Sequence, residues 1–160
     1  MIKIYVYLII YQEKFMKISS NNISNCYINH IAQALDCGMI CFVNPNTYEL
    51  EDVPHDFLCG MYQDETWQEA VNRVDQWGKY ITIDRPGYTE SIEIMRSFVD
   101  RYIPKGKLKE ELHCALTLRR PDKNFDRIVK NSDYQDKWTT YHRRQMMKHI
   151  RRKLSDNILQ

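Results

Sequence analysis

The first regular pattern along the chain is a set of apolar residues spaced three and four apart, namely Ile28, Ile31, Ala32 and Leu35. This spacing places them on one face of a helix. Ser24 or Asn25 can cap its start, because either side chain can accept a hydrogen bond from a backbone amide, and Gly38 stands just after its end. The pattern therefore predicts a helix between Ser24 and Gly38.

Two blocks after this helix predict a β-hairpin. Residues 39–43 form a compact apolar run, and in residues 48–53 outward acids alternate with apolar partners. The intervening Asn44-Pro45-Asn46-Thr47 suits a turn, because proline presets φ and asparagine tolerates turn geometry. Pro54-His55-Asp56 ends the hairpin, and a further short strand is predicted from Tyr80 to Ile83.

A capping box predicts the start of a second helix. Glu69 follows Thr66 by three residues, so the threonine hydroxyl can accept from the Glu69 amide while the glutamate carboxylate accepts from the Thr66 amide. Asp64 and Glu65 are expected to be first-turn acids near the positive end of this helix. Gly78 provides a stop, and the apolar stripe before it comprises Trp67, Ala70, Val71, Val74 and Trp77.

From Thr89 onward the apolar spacing is helical throughout. Pro104-Lys105-Gly106 breaks the first of these helices, and the later connections are short, which favours antiparallel packing. The four stripes are Met95, Phe98, Val99 and Tyr102; Leu108, Leu112, Ala115 and Leu116; Phe125, Ile128 and Val129; and Tyr134, Trp138, Tyr141, Met146, Ile150 and Leu154. The predicted fold class is α+β, with a small antiparallel sheet formed by the hairpin and the short strand, and a C-terminal helical bundle.

The chain of 160 residues has no Ser-, Gln- or Pro-rich stretch where a domain boundary could lie. This predicts a single α+β domain over residues 16–160. Residues 1–15 are an extra segment whose apolar run, from Ile4 to Tyr11, is too short to span a bilayer. Either this run adds a strand to the fold, or the true start is Met16, and the ordinary soluble character of the residues after Met16 favours the second alternative.

Charge is segregated along the chain, although the formal net charge is only +2. Residues 46–100 carry 12 acidic and 4 basic side chains, a net of −8, whereas residues 101–160 carry 7 acidic and 16 basic side chains, a net of +9. Two arrangements are open. The acidic segment lies against the basic one within the fold, or it leaves the basic face free for a polyanion.

Three sequence elements stand out in the second half of the chain. They are the Pro-broken helix around residues 98–104, the turn Arg119-Arg120-Pro121 that leads to Asn124-Phe125-Asp126, and Trp138 with Tyr141 three residues on. Together they resemble uncharacterised protein family 0158 of the UPF series, a set of short bacterial proteins. The resemblance runs from about residue 82 to residue 154. The preceding hairpin and acidic segment are similar to the more variable N-terminal part of this family, particularly in the members from gut anaerobes such as the Bacteroides group.

This chain departs from the family pattern at two places. Asp122 stands where the family usually offers another aromatic residue, so that Phe125 packs alone. Thr139-Thr140 replaces an aromatic residue that commonly follows Trp138. The resemblance implies the architecture and carries no reaction, cofactor or ligand.

Basic residues of the C-terminal segment are the candidate contacts for a partner or a polyanion. They are Arg119, Arg120, Lys123, Arg127, Arg143, Arg144, Lys148, Arg151, Arg152 and Lys153, with Lys130 in the same run. Such cations neutralise phosphates, and an exposed Trp138 or Tyr141 could stack on an unpaired base. Both rings fall on the predicted apolar stripe, which favours core packing, whereas Arg143 and Arg144 are expected to face water.

Arg119-Arg120-Pro121 has two interpretations. Cations in the last turn of a helix meet the partial negative charge of its carbonyl end, and a proline just beyond prevents continuation, so the motif is helix punctuation. Alternatively, both guanidinium groups grip a phosphate or a partner carboxylate in bidentate fashion. The first interpretation is favoured.

Cysteines and histidines lack the intervals of a metal or redox site. The 5 cysteines are an odd number without the density of a secreted disulfide framework, which predicts buried structural thiols in a reducing cytoplasm. His142 and His149 do not have the spacing of three or four that helical metal ligands need, so surface or cap histidines are expected. His55 has no partner at a diagnostic interval.

The familiar catalytic and phosphate-binding motifs do not occur in this sequence. It therefore predicts a non-catalytic cytoplasmic binding or adaptor module, without cofactor or membrane contact, that meets a protein partner through its charged surfaces. The alternative is a nucleic-acid-binding protein that uses the basic C-terminal helix. A third possibility is a hydrolase built on unrecognised acids.

Overall fold

A computed structural model describes residues 23–158, which form seven helices and one three-stranded antiparallel sheet. This confirms the predicted α+β class. In chain order the elements are α1 (Asn25–Asp36), β1 (Met39–Val43), β2 (Leu50–Pro54), α2 (His55–Leu58), α3 (Glu65–Gln76), β3 (Ile81–Ile83), α4 (Tyr88–Tyr102), α5 (Lys107–Ala115), α6 (Pro121–Lys130) and α7 (Gln135–Ile158).

The described residues fall into two compact units. The first comprises residues 23–85 together with 150–158, and the second comprises residues 86–149. Compact units need not fold independently, so the single domain over residues 16–160 stays a prediction. The predicted extra segment, residues 1–15, lies outside the described residues.

The first unit contains the sheet, and β1 is its central strand. The strand order is β2-β1-β3, and both pairings are antiparallel. The predicted hairpin is confirmed, with Val43 opposite Leu50. In its turn, the Asn44 side-chain oxygen accepts from the amides of Asn46 at 2.9 Å and Thr47 at 3.2 Å. Asparagine therefore shapes this turn through its side chain as well as its backbone.

Helix α1 has the predicted boundaries and the predicted inward face. The Ser24 side chain accepts from the Tyr27 amide at 3.2 Å, and Gly38 follows the helix with a φ of +84° that favours glycine. The helix packs against β1. Its predicted apolar positions are all buried: Ile28, Ile31, Ala32 and Leu35.

Helix α3 begins earlier than the capping box predicts. Its N-cap is Asp64, whose carboxylate accepts from the amides of Thr66 at 2.9 Å and Trp67 at 3.3 Å. Thr66 therefore lies inside the first turn, and its prediction as the cap is wrong. Asp64 prevails because an ionised carboxylate is a stronger acceptor than a hydroxyl, and one oxygen serves two amides.

The position of this cap predicts the effect of two alanine substitutions. Asp64→Ala should lower the free energy of unfolding by about 1 kcal/mol, because both amides lose their partner. Thr66→Ala, as the matched control, should leave the free energy of unfolding nearly unchanged. Urea unfolding followed by circular dichroism measures both, and a larger loss for Thr66→Ala would restore the capping box.

The second unit is all-helical and has an aromatic core. Helix α4 packs against α5 and α6, and α5 packs against α6. Eight residues of the predicted stripes are in the buried cluster of this unit, namely Met95, Phe98, Val99, Leu112, Leu116, Phe125, Val129 and Tyr141, together with Ile92 and Ile103. Five other stripe residues are partly buried against this cluster, namely Tyr102, Leu108, Ile128, Tyr134 and Trp138, while Ile150 and Leu154 belong to the first unit.

The predicted burial of the cysteines is wrong for four of the five. Cys26, Cys37, Cys59 and Cys114 are exposed, and all five thiols are free. Cys41, on the central strand, is fully buried, and burial raises the pKa of its thiol to about 12, with Asp52 and Asp84 adding to the shift. The number of cysteines does not show which of them lie in a buried strand and which lie on the surface. Only Cys41 lies in a strand of the described sheet.

Candidate interaction surface

The Arg119-Arg120-Pro121 motif lies in a bend at the start of α6, whereas the sequence pattern predicts it at the end of the preceding helix. Helix α5 ends at Ala115, so Arg119 and Arg120 are not in its last turn. The predicted helix punctuation is therefore wrong. Arg120 is instead the N-cap of α6, and Pro121 is the first helical residue, where its missing amide hydrogen has no helical acceptor to lose.

The bend is held in an uncommon conformation. Arg120 has φ 59° and ψ 61°, in the left-handed region that costs a residue with a β-carbon about 1 kcal/mol. Asn124 secures the bend, because its side-chain amide donates to the Arg119 carbonyl at 2.9 Å and its backbone amide donates to the Arg120 carbonyl at 3.2 Å. Both arginine side chains are exposed. The motif thus fixes the backbone from which two guanidinium groups project.

The inward face of α6 anchors the helix in the aromatic core. Phe125 and Val129 are fully buried. The Phe125 ring meets the Trp138 indole edge-on, with ring centroids 4.9 Å apart, and Trp138 in turn lies 5.1 Å from Phe98. Such edge-to-face pairs add stability beyond the area that they bury. The helix is therefore a rigid support for its outer face.

The outward face of α6 is basic. Lys123, Arg127 and Lys130 are spaced four and three residues apart, which places them on one line along the helix, and all three are exposed. With the two arginines of the bend they form what we call the α6 basic stripe: Arg119, Arg120, Lys123, Arg127 and Lys130. Within residues 23–158, no ion pair involves any of these five side chains.

Ion pairs of the second unit lie elsewhere. Asp100 meets the His113 imidazole at 3.0 Å and the Lys109 ammonium at 3.8 Å, while Lys107 meets Glu111 at 3.8 Å. Among the described residues of the second unit, no acid forms an ion pair with the α6 basic stripe. Which of the two arrangements open from the charge pattern holds stays a prediction.

The comparison with family models decides where this chain belongs. The model of the Uncharacterised protein family (UPF0158) matches residues 61–160, which is more than half of the chain. The chain belongs to the UPF0158 family. Among curated proteins and among solved structures, no match was found.

The UPF0158 match begins earlier than the resemblance seen in the sequence. It starts at Met61 and includes α3 and β3, whereas the resemblance was placed from about residue 82. The hairpin lies before the matched residues. The whole α6 basic stripe and the aromatic core lie within them, so the candidate surface belongs to the UPF0158 part of the chain.

The two positions at which the resemblance implies aromatic residues lie outside the core of this chain. Asp122 is exposed beside the basic stripe, and Thr139 and Thr140 are exposed on α7. Aromatic residues at these positions would face solvent on this chain. Phe125 therefore fills its place in the core without a second ring from the turn.

The predicted contact residues beyond α6 lie on α7, in both units. Arg143, Arg144 and Lys148 are exposed on the part of α7 that lies in the second unit, as predicted for the first two. Arg143 already has an interaction within the chain. Arg151, Arg152 and Lys153 belong to the first unit, where Arg151 donates to the Asn25 side-chain oxygen and Arg152 also has an intramolecular interaction.

The aromatic residues of α7 pack inward, which confirms the core interpretation over base stacking. Tyr141 is buried and lies 5.5 Å, centroid to centroid, from both Phe98 and Tyr102. Trp138 is half-buried among Phe98, Phe125 and the His142 imidazole. The exposed cations of α6 therefore have no free ring of Trp138 or Tyr141 beside them.

The UPF0158 part of the chain contains a buried histidine that the sequence pattern does not reveal. His149 is only 3% exposed, and its Nδ1 atom lies 3.3 Å from the Glu90 carboxylate. Its prediction as a surface or cap histidine is wrong. The available signal was its position next to Ile150 on the buried side of α7, because a polar group placed there needs a partner.

Two kinds of feature are not found among residues 23–158. No group of three or more His, Cys, Asp or Glu side chains is arranged to hold a metal ion. No helix there combines the length and the apolar character that a membrane span needs.

Proposed function

We propose that this UPF0158 protein is a non-catalytic binding module of the bacterial cytoplasm, which contacts an acidic surface of a protein partner through the α6 basic stripe. One observation carries the proposal: three exposed cations on a helix anchored in the core, and two more at the bend before it, have no ion-pair partner among the described residues. Complementary charge steers such encounters and fixes their orientation.

The placement of the two arginines strengthens the attraction for carboxylates. Arg119 and Arg120 lie at the N-terminal end of α6, where the helix dipole is also positive. Cations there are unfavourable within the chain, and an approaching anion relieves that repulsion. Guanidinium groups also bind carboxylates in bidentate fashion. The second interpretation of the Arg119-Arg120-Pro121 motif is therefore part of the proposal.

Two features favour an acidic protein over a nucleic acid. Trp138 and Tyr141 are committed to the core, so the base-stacking part of a single-strand surface is missing beside the stripe. Asp122 and Asp126 stand next to the cations on α6. Such mixed charge suits a protein surface of matching pattern, whereas a phosphate backbone is uniformly negative.

The cytoplasmic part of the proposal rests on the cysteines. All five are free, and four of them are exposed. Exposed free thiols are typical of a reducing compartment, because an oxidising one converts them to disulfides.

Charge reversal on α6 tests this function. The triple variant Lys123→Glu, Arg127→Glu and Lys130→Glu should no longer retain a partner that the wild-type chain retains in stoichiometric amount on affinity purification from its own cells. Retention by the wild type should also weaken with added salt, because exposed charges are screened. The matched control is Arg96→Glu, Arg101→Glu and Lys105→Glu, three exposed cations of the same unit, and it should retain the partner.

Two results would count against the proposal. Retention by the α6 variant equal to that of the control would show that the stripe is not the contact surface. Salt-sensitive binding of a generic oligonucleotide, lost in the α6 variant only, would replace the protein partner by a nucleic acid.

A further inference from the structure

A cysteine, a histidine and an aspartate meet at the one-turn helix α2, apart from the α6 surface. The Cys59 sulfur lies 3.5 Å from Nδ1 of His55 and 3.8 Å from its Nε2. The Asp56 carboxylate lies 3.7 Å from the same Nδ1 atom. The prediction that His55 has no partner is wrong, because α2 brings residues four apart into contact.

We infer that Cys59 is a site of reversible thiolation by low-molecular-weight disulfides, with His55 as the proton acceptor. The sulfur is within reach of either ring nitrogen, so the imidazole can take the thiol proton as the sulfur attacks. The Asp56 carboxylate stabilises the imidazolium that forms.

The reagent disulfide is itself the oxidant in this exchange, so no further co-reactant is needed. The Cys59 sulfur attacks one sulfur of the reagent while its proton passes to His55, so that a new sulfur–sulfur bond forms and the old one breaks. The leaving thiolate then takes the proton from His55. Cys59 is oxidised to a mixed disulfide, and half of the reagent is reduced to a free thiol.

Access to the sulfur is open. Cys59 is exposed, and the side chains of His55 and Asp56 are 55% and 67% exposed. Its neighbours Leu58 and Met61 are exposed and apolar, whereas the exposed Asp56 is acidic. Because Cys59 caps the C-terminal end of α2, the helix dipole does not assist the thiolate. His55 is therefore the group that sets Cys59 apart.

The chain supplies matched internal controls. Cys26, Cys37 and Cys114 are also exposed, and within residues 23–158 no hydrogen bond joins any of these three sulfurs to a histidine, although His30 stands four residues after Cys26. Cys114 follows His113 in the sequence, but that imidazole faces Asp100. Cys41 is fully buried and should not react. The site also lies before residue 61, outside the UPF0158 match, so it is a property of this chain.

The test is the rate of mixed-disulfide formation at each cysteine, measured by mass spectrometry after the full-length protein is mixed with glutathione disulfide near neutral pH. Cys59 should react at least about ten-fold faster than the three exposed controls, a threshold set below the roughly hundred-fold that a positioned base contributes at the least. His55→Gln should lower the Cys59 rate to that of the controls and leave theirs unchanged. Asp56→Asn should lower it in part, and His113→Gln should not change any of the rates.

Equal rates at the four exposed cysteines would overturn the inference. So would a Cys59 rate that is unchanged in the His55→Gln variant, because the fast reaction would then come from exposure alone. All of these substitutions are at exposed or half-exposed side chains, so the variants should fold, and circular dichroism checks this.

Discussion

Replacing Phe125 by alanine should lower the free energy of unfolding by about 3–5 kcal/mol, the range typical of a fully buried phenylalanine. The ring is inaccessible to solvent and lies 4.9 Å from the Trp138 indole, centroid to centroid. Its removal leaves a cavity between α6 and α7 and also removes an edge-to-face contact. Helix α6 is short, so it depends on this anchor more than a long helix would.

Urea unfolding, followed by circular dichroism and tryptophan fluorescence, measures this loss. Lys123→Ala is the matched control on the outer face of the same helix, and it should change the free energy of unfolding by less than about 0.5 kcal/mol. A loss below about 1 kcal/mol for Phe125→Ala would mean that the site is not packed as described.

Alkaline pH should destabilise the protein through Cys41. Burial raises the pKa of this thiol to about 12. In the unfolded chain the pKa of a cysteine thiol is about 8.5. Between these values the unfolded state has lost the proton and the folded state keeps it. Stability therefore falls as pH rises, with a slope of about 1.4 kcal/mol per pH unit once the difference is fully developed.

The variant Cys41→Ala isolates this effect. The free energy of unfolding is measured in reductant at several pH values from about 8 to about 11. With rising pH it should fall less steeply in the variant than in the wild type, and the two slopes should differ by up to about 1.4 kcal/mol per pH unit, the slope that one proton contributes. Burial also raises the pKa of Tyr27, and this largest part of the Tyr27 shift persists in the variant, whereas the smaller part that comes from Cys41 is lost with the thiol. Cys114→Ala, at an exposed position, should keep the wild-type slope. Equal slopes in wild type and Cys41→Ala would contradict the burial of an uncharged thiol.

Elements with a periodic pattern and local end signals could be predicted from the sequence. Helix α1 is an example, because its apolar spacing, the Ser24 cap and Gly38 act within a few residues of one another. The cap of α3 shows the limit. Asp64 and Thr66 are both acceptable caps by residue type, and only the geometry of the carboxylate selects the first.

Features that depend on distant partners could not be predicted. Glu90 lies 59 positions before His149, so no local pattern marks their pairing. Likewise, the spacing of His55 and Cys59 has meaning only on a helix, and the sequence there indicated the end of a hairpin.

The candidate surface was predictable in composition but not in arrangement. Ten basic residues were assigned to it, and four of these lie with Lys130 on α6 or at the bend before it. The bend at Arg120 is the reason, since it places Arg119 and Arg120 before α6 rather than after α5. A left-handed arginine leaves no sequence signal comparable to a glycine.

The central claim, that the α6 basic stripe is the face that meets an acidic protein, is tested most directly by amine footprinting. The complex recovered from cells is treated briefly with an acetylating reagent, and the labelling of each lysine is compared with that of the free chain. Lys123 and Lys130 should be protected in the complex, while Lys105 and Lys107, exposed in the same unit, should be labelled equally in both. Equal labelling of Lys123 and Lys130 with and without the partner would contradict the account.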